Sequence, residues 1–161
     1  MKIGVVSDTH SRELPKEMLI ELSKMDLIIH AGDFCSLKDY HVFTKLKETK
    51  AVWGNMDEPE VRKTLPRKEI MEYDGVKIGL FHGEGAQQKL MDVMQREFLN
   101  DKVDVIIFGH SHQPLNQKIN GVLYFNPGSP NDTIFSPYCS FGVLEITGGE
   151  VNAKIVKLGS S

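Results

Sequence analysis

A chain of 161 residues has the length of one domain, and 40% hydrophobic and 25% charged residues are ordinary for a globular protein. The formal net charge of −3 excludes a general electrostatic attraction to nucleic acid or to an anionic membrane surface. No stretch predicts a signal peptide or a membrane span, and two cysteines far apart in sequence form no disulfide framework. We therefore expect a cytoplasmic protein.

Apolar runs alternate with helical patterns in the first half of the chain. Runs rich in β-branched residues predict buried strands over 2–7, 26–31 and 50–53. Apolar residues at helical spacing predict helices over 15–24 and 37–48, and a short helix near 60–65. This βαβα order is typical of a parallel sheet.

Hairpin patterns dominate the second half. Three two-residue turns are predicted, and each separates two strands. Asp74-Gly75 lies between strands 68–73 and 76–82, and Asn120-Gly121 lies between strands 115–119 and 122–125. Gly148-Gly149 lies between strands 139–146 and 151–158. A helix is predicted over 87–99, followed by a buried strand over 103–109. The whole pattern predicts two sheets packed face to face with helices outside.

Polar side chains follow five of these apolar runs, at the strand ends where open α/β sheets place their ligand sites. Seven of them form the set of candidate ligands: Asp8, His10, Asp33, Asn55, His82, His110 and His112. Carboxylates and imidazoles suit manganese, iron, nickel and zinc. On extended backbone, Asp8 and His10 would point the same way and reach one ion. His110 and His112 would do the same, or a turn would aim them at neighbouring ions.

The order of these segments carries a family resemblance. D-x-H, G-D, G-N, H-G and G-H-x-H occur in sequence, and Asn126-Pro127-Gly128-Ser129 matches a further turn. The chain resembles the calcineurin-like metallophosphoesterase superfamily, and in particular its small YfcE-like phosphodiesterase branch, from residue 3 to about 146. The resemblance implies a four-layer αββα sandwich of two mixed β-sheets flanked by helices, as one domain over residues 1–161.

The resemblance also implies roles for the candidate ligands. Asp8, His10 and His112 would hold a first metal ion, while Asn55, His82 and His110 would hold a second. Asp33 would bridge both ions, and catalysis would depend on Asp33, Asn55 and His82. The implied reaction is phosphodiester hydrolysis by in-line attack of a metal-bridging hydroxide. Manganese ranks first among the two divalent ions, with nickel, iron and zinc as alternatives.

One position departs from the pattern of larger relatives, which have a histidine directly after the G-N step. Here Met56 follows Asn55, and a thioether cannot donate a proton to a leaving group. A catalyst without this general acid should favour good leaving groups such as those of aryl phosphodiesters. Asp57, the next residue, would either orient a neighbouring ligand or cap the following helix.

Two other functions fit the same scaffold. One is a non-catalytic protein-interaction module like the retromer scaffold subunit, although this chain keeps every ligand position. The other is a phosphomonoesterase, which Met56 disfavours. We expect a small phosphodiester substrate and no dedicated nucleic-acid surface, since no basic tract flanks the motifs. Exposed edge strands would permit a homo-oligomer without requiring one.

Two further polar residues have structural interpretations. His30 lies on an apolar strand three residues before Asp33, so we expect a hydrogen-bonded core residue rather than a ligand. Asn126 would either reach the rim of the site or shape the turn that follows it.

Overall fold

The computed structural model describes residues 1–159; Ser160 and Ser161, which the predicted domain includes, lie outside the described residues. The first half of the chain forms three strands and three helices in alternation: β1 Lys2–Val6, α1 Lys16–Ser23, β2 Leu27–His30, α2 Leu37–Leu46, β3 Thr49–Ala51 and α3 Pro59–Thr64. The second half forms seven strands and one helix: β4 Lys68–Tyr73, β5 Val76–Phe81, α4 Leu90–Glu97, β6 Val105–Ile107, β7 Leu115–Ile119, β8 Val122–Asn126, β9 Ser140–Thr147 and β10 Glu150–Lys157.

The strands build two mixed five-stranded sheets. The first sheet has the order β10-β9-β1-β2-β3, in which β1, β2 and β3 are parallel, β9 is antiparallel to β1, and β10 is antiparallel to β9. The second has the order β4-β5-β6-β8-β7, in which β5, β6 and β8 are parallel. The central strands of both sheets are therefore parallel, so their carboxyl ends lie at common edges.

All three predicted two-residue turns are present. Both residues of Asp74-Gly75, Asn120-Gly121 and Gly148-Gly149 have positive φ angles, between 49° and 82°. This is the pattern of type I′ turns, whose twist matches that of the flanking antiparallel strands. These dipeptides therefore fix the register of the three hairpins.

Three apolar layers hold the fold together. Alternate residues of the central strands, such as Ile3 of β1 and Ile78 of β5, fill the space between the two sheets. The opposite face of the first sheet packs against α1, α2 and α3, where Leu22 and Phe43 are fully buried. The outer face of the second sheet packs against α4 through Met94. The result is the four-layer αββα sandwich expected from the sequence.

The predicted helix over 87–99 is shorter and irregular. Residues Gln87–Lys89 form a 3₁₀ turn, and the α-helix runs only over Leu90–Glu97. Ala86 precedes the turn and supplies no side-chain cap, so the first N–H groups bond in the tighter 3₁₀ pattern. Within residues 1–159, no helix is both long and apolar enough to cross a membrane.

Candidate metal centre

The seven candidate ligands come together at one end of the sandwich, from both sheets. Asp8 and His10 follow β1, Asp33 follows β2, and Asn55 follows β3 in the first sheet. The second sheet contributes His82 after β5, and His110 and His112 after β6. The parallel strands thus deliver every predicted site residue to the carboxyl edge at which such folds bind ligands.

The backbone that aims these side chains is not extended, so the predicted geometry of the D-x-H segment was wrong. Five candidate ligands have left-handed φ angles: Asp8 (58°), His10 (49°), Asp33 (65°), His110 (71°) and His112 (59°). Residues other than glycine rarely adopt this region, and each costs of order 1 kcal/mol. Tight turns, rather than the two-residue period of a strand, point the side chains inward.

Glycines beside the candidate ligands permit the close approach of these loops. A Cβ atom on Gly54 would overlap the carboxylate and backbone N of Asp33. A Cβ atom on Gly109 would likewise overlap the side chains of Ser7 and Asp8. The glycines of the G-N and G-H-x-H segments therefore leave room for the two carboxylates.

A first donor group is formed by Asp8, His10 and His112. Oδ1 of Asp8 lies 3.6 Å from Nε2 of His10 and 3.3 Å from Nε2 of His112. The two Nε2 atoms are 3.2 Å apart. Three atoms with lone pairs converge on one point, and such an arrangement suits a cation at its centre.

A second donor group surrounds His82. Its Nε2 atom lies 3.2 Å from Oδ2 of Asp33 and 3.1 Å from Oδ1 of Asn55. The amide oxygen of Asn55 is also 3.2 Å from Nδ1 of His110. Oδ2 of Asp33 lies 3.6 Å from Nε2 of His10, so it faces both donor groups.

One buried atom shows that the first donor group fits a metal ion. Oδ2 of Asp8 accepts hydrogen bonds from the Ser7 hydroxyl at 2.7 Å and the His110 amide at 3.1 Å. Oδ1 of the same carboxylate is buried and has no hydrogen-bond partner among residues 1–159. An unpaired buried carboxylate oxygen is costly, and a cation bound there would remove that cost.

Three histidines are oriented by acceptors on their outer nitrogens. Nδ1 of His82 donates to the carbonyl of Ala31 at 2.7 Å, and Nε2 of His110 donates to that of Gly85 at 2.8 Å. Nδ1 of His112 donates to Oδ2 of Asp132 at 2.5 Å. Because these acceptors hold one proton on the outer nitrogen, the inward nitrogen of each ring is the one available to a metal ion, which is the arrangement of metal-binding histidines.

The electrostatics of the site also favour bound positive charge. Burial lowers the pKa of His82, but Asp8 and Asp33 raise it more strongly, to about 9. Burial also lowers the pKa of His112, but Asp8 and Asp132 raise it more strongly, again to about 9. Burial raises the pKa of Asp8, yet the three neighbouring histidines hold it well below its usual range. The site therefore attracts protons when no metal competes with them.

Two residues singled out in the sequence support the site from behind. His30 is fully buried. Its Nδ1 atom accepts a hydrogen bond from the Gly32 amide at 3.0 Å, and its Nε2 atom lies 3.2 Å from the Thr9 hydroxyl. These contacts confirm the predicted role of His30 as a hydrogen-bonded core residue. Asn126 donates to the carbonyl of Gly109 at 3.0 Å and accepts from the Gly128 amide at 2.9 Å. It thus shapes the turn and also holds the G-H-x-H loop.

Asp57 orients a neighbouring candidate ligand and does not cap α3. Its carboxylate accepts from the backbone N–H groups of Asp33 at 2.9 Å, Cys35 at 2.7 Å and Gly54 at 2.7 Å. The cap position of α3 is Glu58, which makes no side-chain cap bond. One buried carboxylate therefore joins the loops after β2 and β3.

Sequence reasoning missed Asp132. The residue is buried, and besides orienting His112 it accepts from the amides of Ile134 at 2.8 Å and Phe135 at 3.0 Å through Oδ1. It lies in an irregular loop about 20 residues after His112, outside every motif. An Asn-Asp pair in a loop predicts a turn, so the sequence carried no signal for contact with a candidate ligand.

A larger surface cavity lies away from this chemistry. It measures about 500 Å³, is lined mainly by residues 13–17 and by Pro130, Asn131 and Thr133, and includes none of the candidate ligands. A smaller groove of about 280 Å³ is lined by Gln87, His110, Ser111, His112 and Phe135. Because two candidate ligands form its wall, the smaller groove is the one relevant to the site.

Residues 1–149 match the family model of the calcineurin-like phosphoesterase superfamily domain. The chain belongs to this superfamily. Among calcineurin-like phosphoesterases and their relatives, it is similar to the probable metallophosphoesterase MJ0623 of Methanocaldococcus jannaschii, with 41% identity over 136 residues, 81% of this chain and 68% of that one. Phosphodiesterase MJ0936 of the same organism is 29% identical over 143 residues, 80% of this chain and 83% of that one.

The fold also resembles that of a solved structure. The crystal structure of wild-type Vps29 complexed with Zn²⁺ from Entamoeba histolytica superposes with a TM-score of 0.76 at 25% identity, covering 98% of this chain and 99% of that chain. The resemblance inferred from the sequence motifs is confirmed, and with it the sandwich fold. Membership of this superfamily supports a metal-dependent phosphoesterase.

Proposed function

We propose that this protein is a dinuclear-metal phosphodiesterase acting on a small phosphodiester. The main support for this proposal is that Oδ2 of Asp33 faces both donor groups. It lies 3.6 Å from Nε2 of His10 and 3.2 Å from Nε2 of His82. A single carboxylate oxygen between two sets of lone pairs is suited to bridging two cations. Oδ1 of Asp33 accepts from the Met56 amide at 2.8 Å, which leaves Oδ2 for this role.

Each candidate ligand then has a defined task. Asp8, His10 and His112 would hold one ion, Asn55, His82 and His110 the other, and Asp33 would bridge them. Two bound divalent ions would supply Lewis-acid stabilisation of phosphoryl charge and a water of lowered pKa. The neutral amide of Asn55 and the neutral imidazoles do not cancel the charge of the ions. The site would therefore stay positive and attract a phosphodiester anion. Manganese ranks first, with nickel, iron and zinc as alternatives.

The side chain after Asn55 bears on the leaving group of the substrate. Met56 is 56% exposed beside the candidate metal centre and has no proton to donate. Without a general acid at this position, hydrolysis should favour leaving groups that depart as stable anions. The similarity to a phosphodiesterase of M. jannaschii agrees with this substrate class.

The test is metal-dependent hydrolysis of two chromogenic substrates. Metal-stripped protein receives manganese, nickel, zinc or magnesium, and cleavage of bis(p-nitrophenyl) phosphate is compared with that of p-nitrophenyl phosphate. We expect metal-dependent diester cleavage, little monoester cleavage, and two bound ions per chain by elemental analysis. Preferential monoester cleavage would refute the diester assignment.

A protein-interaction module is the second candidate, and one observation favours it. Three large apolar side chains beside the candidate metal centre are exposed: Met56, Ile134 and Phe135. The likeness to Vps29 fits such a role. Metal binding without turnover on either chromogenic substrate would favour this candidate over the phosphodiesterase.

A further inference from the structure

The groove of about 280 Å³ opens directly on the candidate metal centre. His110 and His112 form part of its wall, together with Ser111 between them and with Gln87 and Phe135. A group that fills this groove would therefore lie beside two of the candidate ligands. The groove is near the lower limit of ordinary ligand pockets, about 300 Å³, so it suits one ring rather than a polymer.

Phe135 presents an aromatic ring to this groove from a fixed backbone. The residue is 71% exposed, although full burial of such a side chain contributes about 1.5–3 kcal/mol. Its amide donates to Asp132 at 3.0 Å, and its carbonyl accepts from the Gln113 side chain at 2.7 Å. The Ser136 hydroxyl also donates to the carbonyl of His112 at 2.9 Å. The backbone of Phe135 is thus held beside His112, and most of its side chain is open to contact.

Ser111 adds a hydrogen-bond donor to the same groove. Its hydroxyl oxygen accepts from the Asn126 side chain at 3.1 Å and from the Gln113 amide at 3.2 Å. In the described part of the chain, nothing accepts the proton of this hydroxyl. Because both acceptor positions are filled from within, the free proton is available to a molecule in the groove.

We propose that this groove binds a planar aromatic ring on one ester arm of the phosphodiester. Phe135 would stack on the ring, and the Ser111 hydroxyl would donate to a polar atom of the same arm. The inference rests on the proposed function and narrows its substrate class to aryl or nucleoside diesters. Dialkyl phosphodiesters would leave the Phe135 ring exposed and gain nothing from it.

Three substrates that all release p-nitrophenolate separate the possible ring sources. They are bis(p-nitrophenyl) phosphate, thymidine 5′-(p-nitrophenyl phosphate) and methyl p-nitrophenyl phosphate. We expect Phe135→Ala to raise KM about tenfold at unchanged kcat wherever a ring occupies the groove, since aromatic stacking contributes that much per ring. A KM increase in Phe135→Ala for all three substrates places the leaving arm in the groove. A KM increase for the aryl diester, the thymidine diester or both, but not for the methyl ester, places the retained arm in the groove and identifies its source.

Two variants sharpen this experiment. Ile134→Ala removes a neighbouring apolar side chain that is 75% exposed but does not line the groove, so its KM values should match those of the wild type. Phe135→Trp keeps an aromatic face and should retain the low KM. Unchanged KM values for all three substrates in Phe135→Ala would overturn the proposal. Equal losses in Ile134→Ala would do the same.

A binding measurement separates this inference from the proposed function. Thymidine 5′-monophosphate is titrated into the protein, and backbone amide shifts are followed by NMR. We expect shifts centred on Ser111, Gln113 and Phe135 in the wild type, and their loss in Phe135→Ala. If the wild type hydrolyses no diester and these shifts still appear, ring binding in the groove is supported and the phosphodiesterase proposal fails. Shifts absent from these residues, both with thymidine 5′-monophosphate and with phenyl phosphate titrated in the same way, would refute the groove.

Discussion

The two oxygens of the Asp33 carboxylate have different surroundings. Oδ1 accepts the Met56 amide, whereas Oδ2 faces His10 and His82 from the two donor groups. The backbone N–H of Asp33 is itself held by Asp57. Such a residue combines a fixed backbone, a fixed side chain and one free oxygen. It is therefore the position at which a small chemical change should have the largest effect on metal binding.

Asp33→Asn tests this role with almost no change in volume. Replacing the carboxylate by an amide removes one negative charge between the two donor groups, so we expect one bound metal ion per chain instead of two. Diester hydrolysis should fall at least about 100-fold, because both ions act on the phosphoryl group. Elemental analysis and steady-state kinetics measure the two effects. Asp92→Asn makes the same change on the exposed face of α4 and serves as the control. Near-normal turnover of the Asp33→Asn variant at full metal content would show that Asp33 does not bridge two ions.

Asp132 acts on metal binding through His112. Its carboxylate fixes the Nδ1 proton of that ring, and such outer partners contribute about 10–100-fold to metal affinity. We expect Asp132→Ala to weaken binding by that factor, as measured by calorimetric titration of the metal-stripped protein. Asp132→Asn keeps an acceptor oxygen and should lose less. An affinity unchanged in both variants would show that His112 needs no outer partner.

His30 should impose a pH dependence on stability. Burial lowers its pKa to about 3, although Asp8 opposes the shift, whereas the unfolded chain has the ordinary value of 6.5. A depressed pKa stabilises the fold above pH 6.5 and destabilises it as the pH falls, because only the unfolded state takes up the proton. Between pH 6.5 and 5, proton uptake by His30 in the unfolded state should lower the free energy of unfolding by about 1.5 kcal/mol.

Urea unfolding of metal-stripped protein at these two pH values gives the measurement, and His30→Gln is the comparison. The variant lacks the titrating group, so its stability should fall by about 1.5 kcal/mol less than that of the wild type over the same interval. Equal falls in both proteins would show that His30 binds its proton as readily in the folded state as in the unfolded one.

At the scale of elements, the loops after β2 and β3 approach too closely for any residue but glycine at Gly54. Gly54→Ala would push the new Cβ atom into the Asp33 carboxylate. Gly79→Ala, on β5, would instead push it into the ring of Phe98, away from the candidate ligands. We expect the first variant to lose metal affinity at least tenfold with modest destabilisation. The second should lose stability and keep its affinity. Calorimetry and urea unfolding separate the two outcomes, and equal affinities would refute the steric argument.

How far the sequence predicted these elements depends on the range of the interactions. The type I′ turns were predictable because two adjacent residues determine them, as at Asn120-Gly121. The left-handed conformations of Asp8 and His110 were not, because contacts with distant loops impose them. Asp57 shows the same limit: the residue was singled out, but its three amide partners come from loops that the sequence alone does not place together.

At the scale of the whole molecule, the candidate metal centre joins the two sheets. Asp8, Asp33 and Asn55 extend from the first sheet, while His82 and His112 extend from the second. The motif order predicted that these residues would meet, since parallel strands end at a common edge. It did not predict Asp132 or the groove beside Phe135, because both depend on the conformation of an irregular loop.

Metal removal should therefore lower global stability. An ion that binds only the folded state at 100 times its Kd stabilises by about 2.7 kcal/mol, which corresponds to roughly 5–11 °C in Tm for a chain of this size. We expect a chelator to lower the Tm of the wild type by at least this amount, as followed by scanning calorimetry. Asp8→Asn, which lacks a ligand of only one of the two ions, should show a smaller shift. A Tm that is insensitive to chelation would indicate that the ions add no link between the sheets.

The left-handed turns have a consequence for protein engineering. The seven side chains are ordinary, but five of them project from backbone that a generic strand-to-helix loop does not provide. Grafting only these residues onto another α/β scaffold would leave their donor atoms pointing apart. A transplant would have to carry the loops as units, with Gly54 and Gly109 in place and Asp57 and Asp132 behind them. The portable unit of this centre is the set of loops, rather than a list of amino acids.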